Sequence, residues 1–154
     1  EDFVKGKWVV IFLDHVLLTK GHSGENERKV IADLQYMFIS LKKKHKVTII
    51  QLSQLNRNIE DKERILNPSL MFPTRSDLSS ADSIYQSSDL CMVIHRPAVL
   101  SIFQYGIEKW PTKDLVYLHL LKNRNGEPKI LCFEDHLKYN TLYDYDPYNS
   151  FLKV

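Results

Sequence analysis

The sequence predicts an α/β domain with a mostly parallel sheet, crossover helices and a C-terminal antiparallel hairpin. Three observations carry this. Continuous apolar runs such as Trp8–Leu13 (WVVIFL) read as strands buried on both faces. Apolar residues at helical spacing follow the first run, at Val30, Ile31, Leu34, Met37, Phe38 and Leu41. Late in the chain, Asn123–Glu127 (NRNGE) separates two further apolar runs as a hairpin turn with Asn-Gly at its tip.

The elements follow in order. WVVIFL ends at Asp14 and leads into a polar loop, Thr19 to Glu25. Ser23 and Asn26 are both suitable caps for the helix that follows. Lys42, Lys43, Lys44 and Lys46 crowd its end, where cations suit the helix dipole. Val47–Leu52 (VTIIQL) is a second, β-branched strand. Ser53 to Pro73 is a long polar connection with one short helical stretch at Asp61–Leu66. Ser76 or Asp77 is placed to cap a short helix running to about Ser87. Leu90–His95 (LCMVIH) is a third strand, and Pro97–Thr112 is irregular, with two prolines and one glycine. Leu115–Leu121 and Lys129–Glu134 are the hairpin strands, and the tail from Asp135 carries four tyrosines without a clear period. Strand, helix, strand, helix, strand implies a parallel sheet, with the hairpin at one edge.

Composition narrows the class. The 154 residues suffice for one domain with a core, and 44% hydrophobic with 26% charged residues is ordinary for a globular protein. No apolar run approaches the roughly 20 residues that span a bilayer, and the first residues lack a signal peptide's pattern. A cytoplasmic setting with no membrane association is expected. The net charge of +2 makes no case for nucleic-acid binding from composition. Cys91 and Cys132 lie singly within apolar runs, outside any CxxC motif, and read as reduced, buried thiols.

Four local patterns carry chemistry. An apolar strand ending in Asp14 suits a Walker B carboxylate, which holds Mg²⁺ directly or through water beside nucleotide phosphates. Gln51-Leu52-Ser53-Gln54-Leu55-Asn56-Arg57 places a polar Ser-Gln pair just after a strand. The amide of Gln54 can both donate and accept, so it can read a phosphate oxygen and relay the contact. Lys122-Asn123-Arg124-Asn125-Gly126 sets two cationic tips on a hairpin, able to neutralise charge on a neighbour's phosphate. Ser76-Asp77-Leu78, Ser83-Ile84-Tyr85-Gln86 and Ser88-Asp89-Leu90 run into the third strand. Each pattern alone also fits a solvated turn or a strand-closing side chain.

Together, SQLNR, then SDL and SIxQ and an aspartate before an apolar strand, then KNRNG, resemble the C-terminal domain of DnaB-family replicative helicases over roughly Trp8 to Phe133. The resemblance implies a partial RecA-like P-loop NTPase fold, with residues 1–154 forming the C-terminal portion of one ATPase domain. It implies ATP and Mg²⁺ as cofactors, single-stranded DNA as the track, a homo-hexamer, and primase or a helicase loader as further partners. By this likeness Asp14 is the magnesium-linked carboxylate, Gln54 the γ-phosphate sensor, and Lys122 and Arg124 act in trans on the adjacent subunit's nucleotide. Lys20 and Arg75 are the expected DNA-phosphate contacts.

The chain departs from the family's usual SDLRESGSIEQDAD. Ser79 and Ser80 replace Arg-Glu, Asp82 replaces glycine and Tyr85 replaces glutamate, marking a divergent relative. No GxxxxGK[ST] segment occurs in the 154 residues. The family's phosphate loop and water-polarising glutamate are therefore expected upstream of residue 1, and this polypeptide alone is expected to be inactive. A non-catalytic RecA-like binding module, or part of a recombinase- or KaiC-like ATPase, is the alternative.

Overall fold

The computed structural model of the chain describes residues 6–16, 26–78 and 82–145. They divide between two compact units, one from Glu1–Asn56 and Leu78–Ser88, the other from Arg57–Asp77 and Asp89–Val154.

In the first unit, β1 (Val9–Leu13) and β2 (Val47–Gln51) pair in parallel, Val9 opposite Val47 through Leu13 opposite Gln51. Parallel strands need a crossover, supplied by α1 (Glu27–Lys44). Of the two predicted caps, Asn26 serves: its side chain accepts from the Arg28 N–H at 2.9 Å. Ser23 lies outside the described residues. The face α1 buries is Ile31, Gln35 and Phe38, while Met37, predicted on that face, is exposed. The buried amide of Gln35 is tolerated because its polar atoms are matched. Its Nε2 donates to Gln51 Oε1 at 2.8 Å, Gln51 Nε2 donates back at 3.1 Å, and the Ser87 hydroxyl donates to Gln35 Oε1 at 2.8 Å. Ser87 ends α3 (Asp82–Ser87), a helix shorter than predicted.

The second unit contains α2 (Lys62–Leu66), close to the predicted helical stretch, and a four-stranded sheet. The sheet comprises β3 (Leu90–His95), β6 (Leu115–Asn123), β7 (Lys129–His136) and β8 (Thr141–Asp144), in the order β3-β6-β7-β8. All its pairings are antiparallel, which corrects the predicted mostly parallel sheet. The reason lies in the segment after β3. It contains only a 3₁₀ turn (Pro97–Leu100) and a two-residue ribbon, β4 (Gln104–Tyr105) with β5 (Trp110–Pro111), so no crossover helix returns the chain to a parallel start. The tyrosine-bearing tail, read as aperiodic, contributes β8.

This unit's core packs Met71, Ile102, Tyr105, Trp110, Leu115, Tyr117, Ile130 and Cys132. Phe72 stacks on Trp110 and meets Tyr105 edge-on. Gly106 is required beneath that ring: its φ is +71°, and a Cβ would stand 2.5 Å from the Phe72 ring. Within the core, the Tyr105 hydroxyl bridges two buried imidazoles, 2.6 Å from His95 Nδ1 and 2.8 Å from His119 Nε2. Both thiols are free. Cys132 is buried as expected, whereas Cys91 on β3 is only half-buried.

Candidate functional site

Asp14 directly follows β1 and is exposed. The β1–β2 ladder continues past both strand ends, because the Leu52 N–H donates to Leu13 O at 2.9 Å and the Val16 N–H to Leu52 O at 3.0 Å. The parallel register therefore brings Asp14 and the Ser53-Gln54 pair off the same carboxyl edge of this strand pair. In open α/β sheets that edge is where ligands bind. Gln54 is exposed, three residues beyond β2. Its loop is held on both sides, by the Gln35–Gln51–Ser87 network before it and by an antiparallel bridge between Leu55 and Leu78 after it.

As a metal donor, Asp14 supplies one hard carboxylate. Among the described residues no group of three or more His, Cys, Asp or Glu forms a metal cage. A lone exposed carboxylate fits Mg²⁺, which is commonly held through one or two carboxylates, water and substrate phosphates.

In the second unit, Lys122 lies at the end of β6, and Arg124 opens the connection to β7. Asn123 closes the turn. Its Oδ1 accepts from the Asn125 N–H at 3.3 Å, and its backbone carbonyl accepts from Gly126 at 3.4 Å. Arg124 is tied twice to Asp89, the residue before β3: its N–H donates to Asp89 O at 2.9 Å, and Nη1 lies 2.8 Å from Oδ1. Burial, with the positive charges of Arg124 and Arg75, holds the Lys122 ammonium below the usual lysine range, while Asp89 and Cys91 oppose the shift. Arg75, predicted as a DNA contact, adds the smallest of these contributions to the Lys122 shift. The other predicted DNA contact, Lys20, lies outside the described residues.

Asp77 corrects the expectation that it caps a helix. It sits in a 3₁₀ turn (Arg75–Asp77), is 1% exposed, and is committed to Arg64. Arg64 donates to it through Nη1 and, at 3.0 Å, through Nη2. The Thr74 N–H and hydroxyl donate at 2.7 and 3.0 Å. Arg64 also donates to the Leu70 and Phe72 carbonyls, both at 3.1 Å. Burial alone would push the Asp77 carboxyl up, but Arg64 and Thr74 outweigh it and the net shift is downward. This clamp orders the turn that carries Arg75. Neither Arg64 nor Asp89 was singled out as a site residue from the sequence. The aspartate before an apolar strand was the one visible signal for Asp89.

The first unit thus sets a carboxylate and a polar loop at the end of a parallel strand pair, and the second sets a cationic hairpin on an antiparallel sheet. The fold itself is shared with solved structures. One of them, an ATPase domain, matches with a TM-score of 0.73 at 19% identity, over 94% of this chain and 47% of that one. A DnaB-like replicative helicase solved for its interactions with primase matches with a TM-score of 0.74 at 18% identity, over 94% of this chain and 33% of that one. These likenesses show that the chain shares the α/β fold of those structures. The family model for the DnaB-like helicase C terminal domain matches residues 4–141, and the chain belongs to that family. The replicative DNA helicase DnaB of Buchnera aphidicola subsp. Baizongia pistaciae is 33% identical over 118 residues, 76% of this chain and 23% of that protein. The chain spans about a fifth of the length of the curated relatives it matches. Among the described residues, no helix is long and apolar enough to cross a membrane.

Proposed function

We propose that this chain forms part of an ATP-dependent replicative DNA helicase that translocates on single-stranded DNA and unwinds duplex. The observation that carries the reading is the cationic hairpin end: Lys122 lies at the end of the longest strand, and Arg124 opens the turn that follows, tied to Asp89. Such a group suits the triphosphate of a neighbouring subunit better than a neutral partner surface, which favours the motor over a non-catalytic binding module. Asp14 would hold Mg²⁺, which screens the phosphates and stabilises charge developing during hydrolysis. Gln54, on a loop pinned at both ends, would sense the γ-phosphate and pass its loss to the DNA-facing loops. Lys122 and Arg124 would act in trans within a homo-hexamer. Arg75, with Lys20, would contact the DNA backbone, a sequence-independent mode of tracking. Primase or a loader would dock on the assembled ring, which would work in the cytoplasm.

The test uses the gene's full product. Arg124→Ala should lower ATP turnover by about 10³- to 10⁵-fold, the cost of removing an arginine that acts across an interface, while nucleotide binding persists. Mixing it with subunits defective in nucleotide binding should restore part of the turnover. No recovery at any mixing ratio would remove the trans role.

A further inference from the structure

The β3–β6 ladder contains one irregularity. Met92 pairs with Leu120, but Cys91 pairs with Lys122 and Leu90 with Asn123. Leu121 is therefore the extra residue of a β-bulge. Its effect falls on the end of the hairpin. In an unbroken register set by Met92 and Leu120, Asp89 would stand opposite Asn123. With Leu121 bulged, Arg124 stands opposite Asp89 instead, and the two are joined by a main-chain bond of 2.9 Å and an ion pair of 2.8 Å.

Stability does not account for this pair. Arg124 is 57% and Asp89 45% exposed, and ion pairs so exposed contribute little to folding. The pair does restrict a long cationic side chain at the outer end of a sheet. A guanidinium has five N–H donors in a rigid fork, so engaging Nη1 leaves donors for a second anion.

We infer that Asp89 is a positioning residue for Arg124: the bulge at Leu121 brings its carboxylate opposite the arginine, and that carboxylate aims the guanidinium so that its remaining donors meet a phosphate with little loss of side-chain freedom. This rests on the reading of Arg124 as a trans-acting group. Asp89 touches no nucleotide in this scheme. It changes how often Arg124 is correctly placed, and so acts on turnover more than on nucleotide affinity.

The experiment measures DNA-stimulated ATP turnover of the gene's full product, with Asp89→Asn, Asp89→Glu, Arg124→Ala and the Asp89→Asn/Arg124→Ala double variant. Asp89→Asn should lower kcat by about 10- to 100-fold, the scale for a misplaced reacting group, with KM for ATP and the thermal midpoint close to wild type. Asp89→Glu keeps the charge but moves it by one methylene, and should lower kcat only about threefold. In the Arg124→Ala background, Asp89→Asn should have no further effect, because the two act as one unit. Wild-type kcat in Asp89→Asn, beside an inactive Arg124→Ala, would overturn the positioning role and leave the arginine's role intact. A fully active Arg124→Ala would instead remove the reading on which the inference rests. Should Asp89→Asn fail to assemble, Asp89→Glu decides, since unchanged kcat there overturns the inference.

Discussion

Asp77→Ala tests whether the Arg64–Asp77 clamp holds the second unit together. Asp77 is 1% exposed and Arg64 17%, so the ion pair is largely out of water. Removing the carboxylate leaves two donor groups short of an acceptor, the Arg64 guanidinium and the Thr74 N–H, while the Thr74 hydroxyl keeps the Ser76 hydroxyl at 2.8 Å. Arg64 keeps its bonds to the Leu70 and Phe72 carbonyls and some contact with water, which places the loss near the lower end for breaking a buried pair, about 3 kcal/mol. With a urea dependence of about 1–3 kcal/mol/M, the unfolding midpoint should fall by roughly 1–3 M. Trp110 lies in the core of this unit and reports on it selectively once Trp8, the other tryptophan, is replaced by Phe. The pH dependence supplies a second signature. The Asp77 carboxyl is lowered in the folded chain from its ordinary value of 3.8, so its contribution is fully present above that value and is lost as pH falls through the lowered one. The gap between wild type and Asp77→Ala should therefore narrow below about pH 4. A loss under about 1 kcal/mol, or additive effects of Arg64→Ala and Asp77→Ala in the double variant, would refute the clamp.

The buried His95–Tyr105–His119 chain predicts an acid-sensitive core. Burial holds His95 at about 4 and His119 at about 3, from an ordinary value of 6.5, so both stay neutral in the fold while the unfolded chain takes up protons near 6.5. Stability should be complete above about pH 6.5 and decline toward pH 4, with a slope approaching two protons in urea titrations; a flat profile over that range would contradict it. Tyr105→Phe should cost about 2–4 kcal/mol at pH 7.5, because both imidazole nitrogens lose their partner, and a neutral substitution would deny the bridge its role. The 154-residue chain alone, which has no GxxxxGK[ST] segment, should bind ATP only weakly. Tight magnesium-dependent binding in calorimetry would show that the phosphate site is misassigned.

The elements that were legible in the sequence are those set by local chemistry. VVIFL and VTIIQ form strands, Asn26 caps α1, and LCMVIH has the strand bounds predicted for it. The direction of pairing was legible for β1 with β2, joined by a crossover helix, and for the β6–β7 hairpin, but not for β3, because an apolar run does not say what lies beside it. Leu90, Met92 and Ile94 made β3 look like a central strand of a parallel sheet, yet β3 is an edge strand of the described antiparallel sheet, with those three side chains exposed. Gln35 interrupted an otherwise apolar helix face and was passed over. Its burial becomes reasonable only when Gln51 and Ser87 arrive from distant parts of the chain to match its amide. Asp77 was assigned to the nearest plausible role, capping, since the partner that claims it stands thirteen residues earlier on another element.

The candidate site divides the same way. Residue types were readable where one side chain carries the chemistry: a carboxylate after an apolar strand, an amide after the next, cations on a hairpin. The arrangement that could make them work was not, because it depends on counting across strands. A single bulged residue, Leu121, changes which residue faces Asp89 from Asn123 to Arg124. No propensity marks Leu121 as the bulged position, since it is one apolar residue in a run of them. Had the regular pairing of Met92 with Leu120 run on through Leu121, Asp89 would face Asn123, which carries no charge to exchange with the carboxylate. The pairing of Arg124 with Asp89 is thus a property of register, and register is set by the whole sheet.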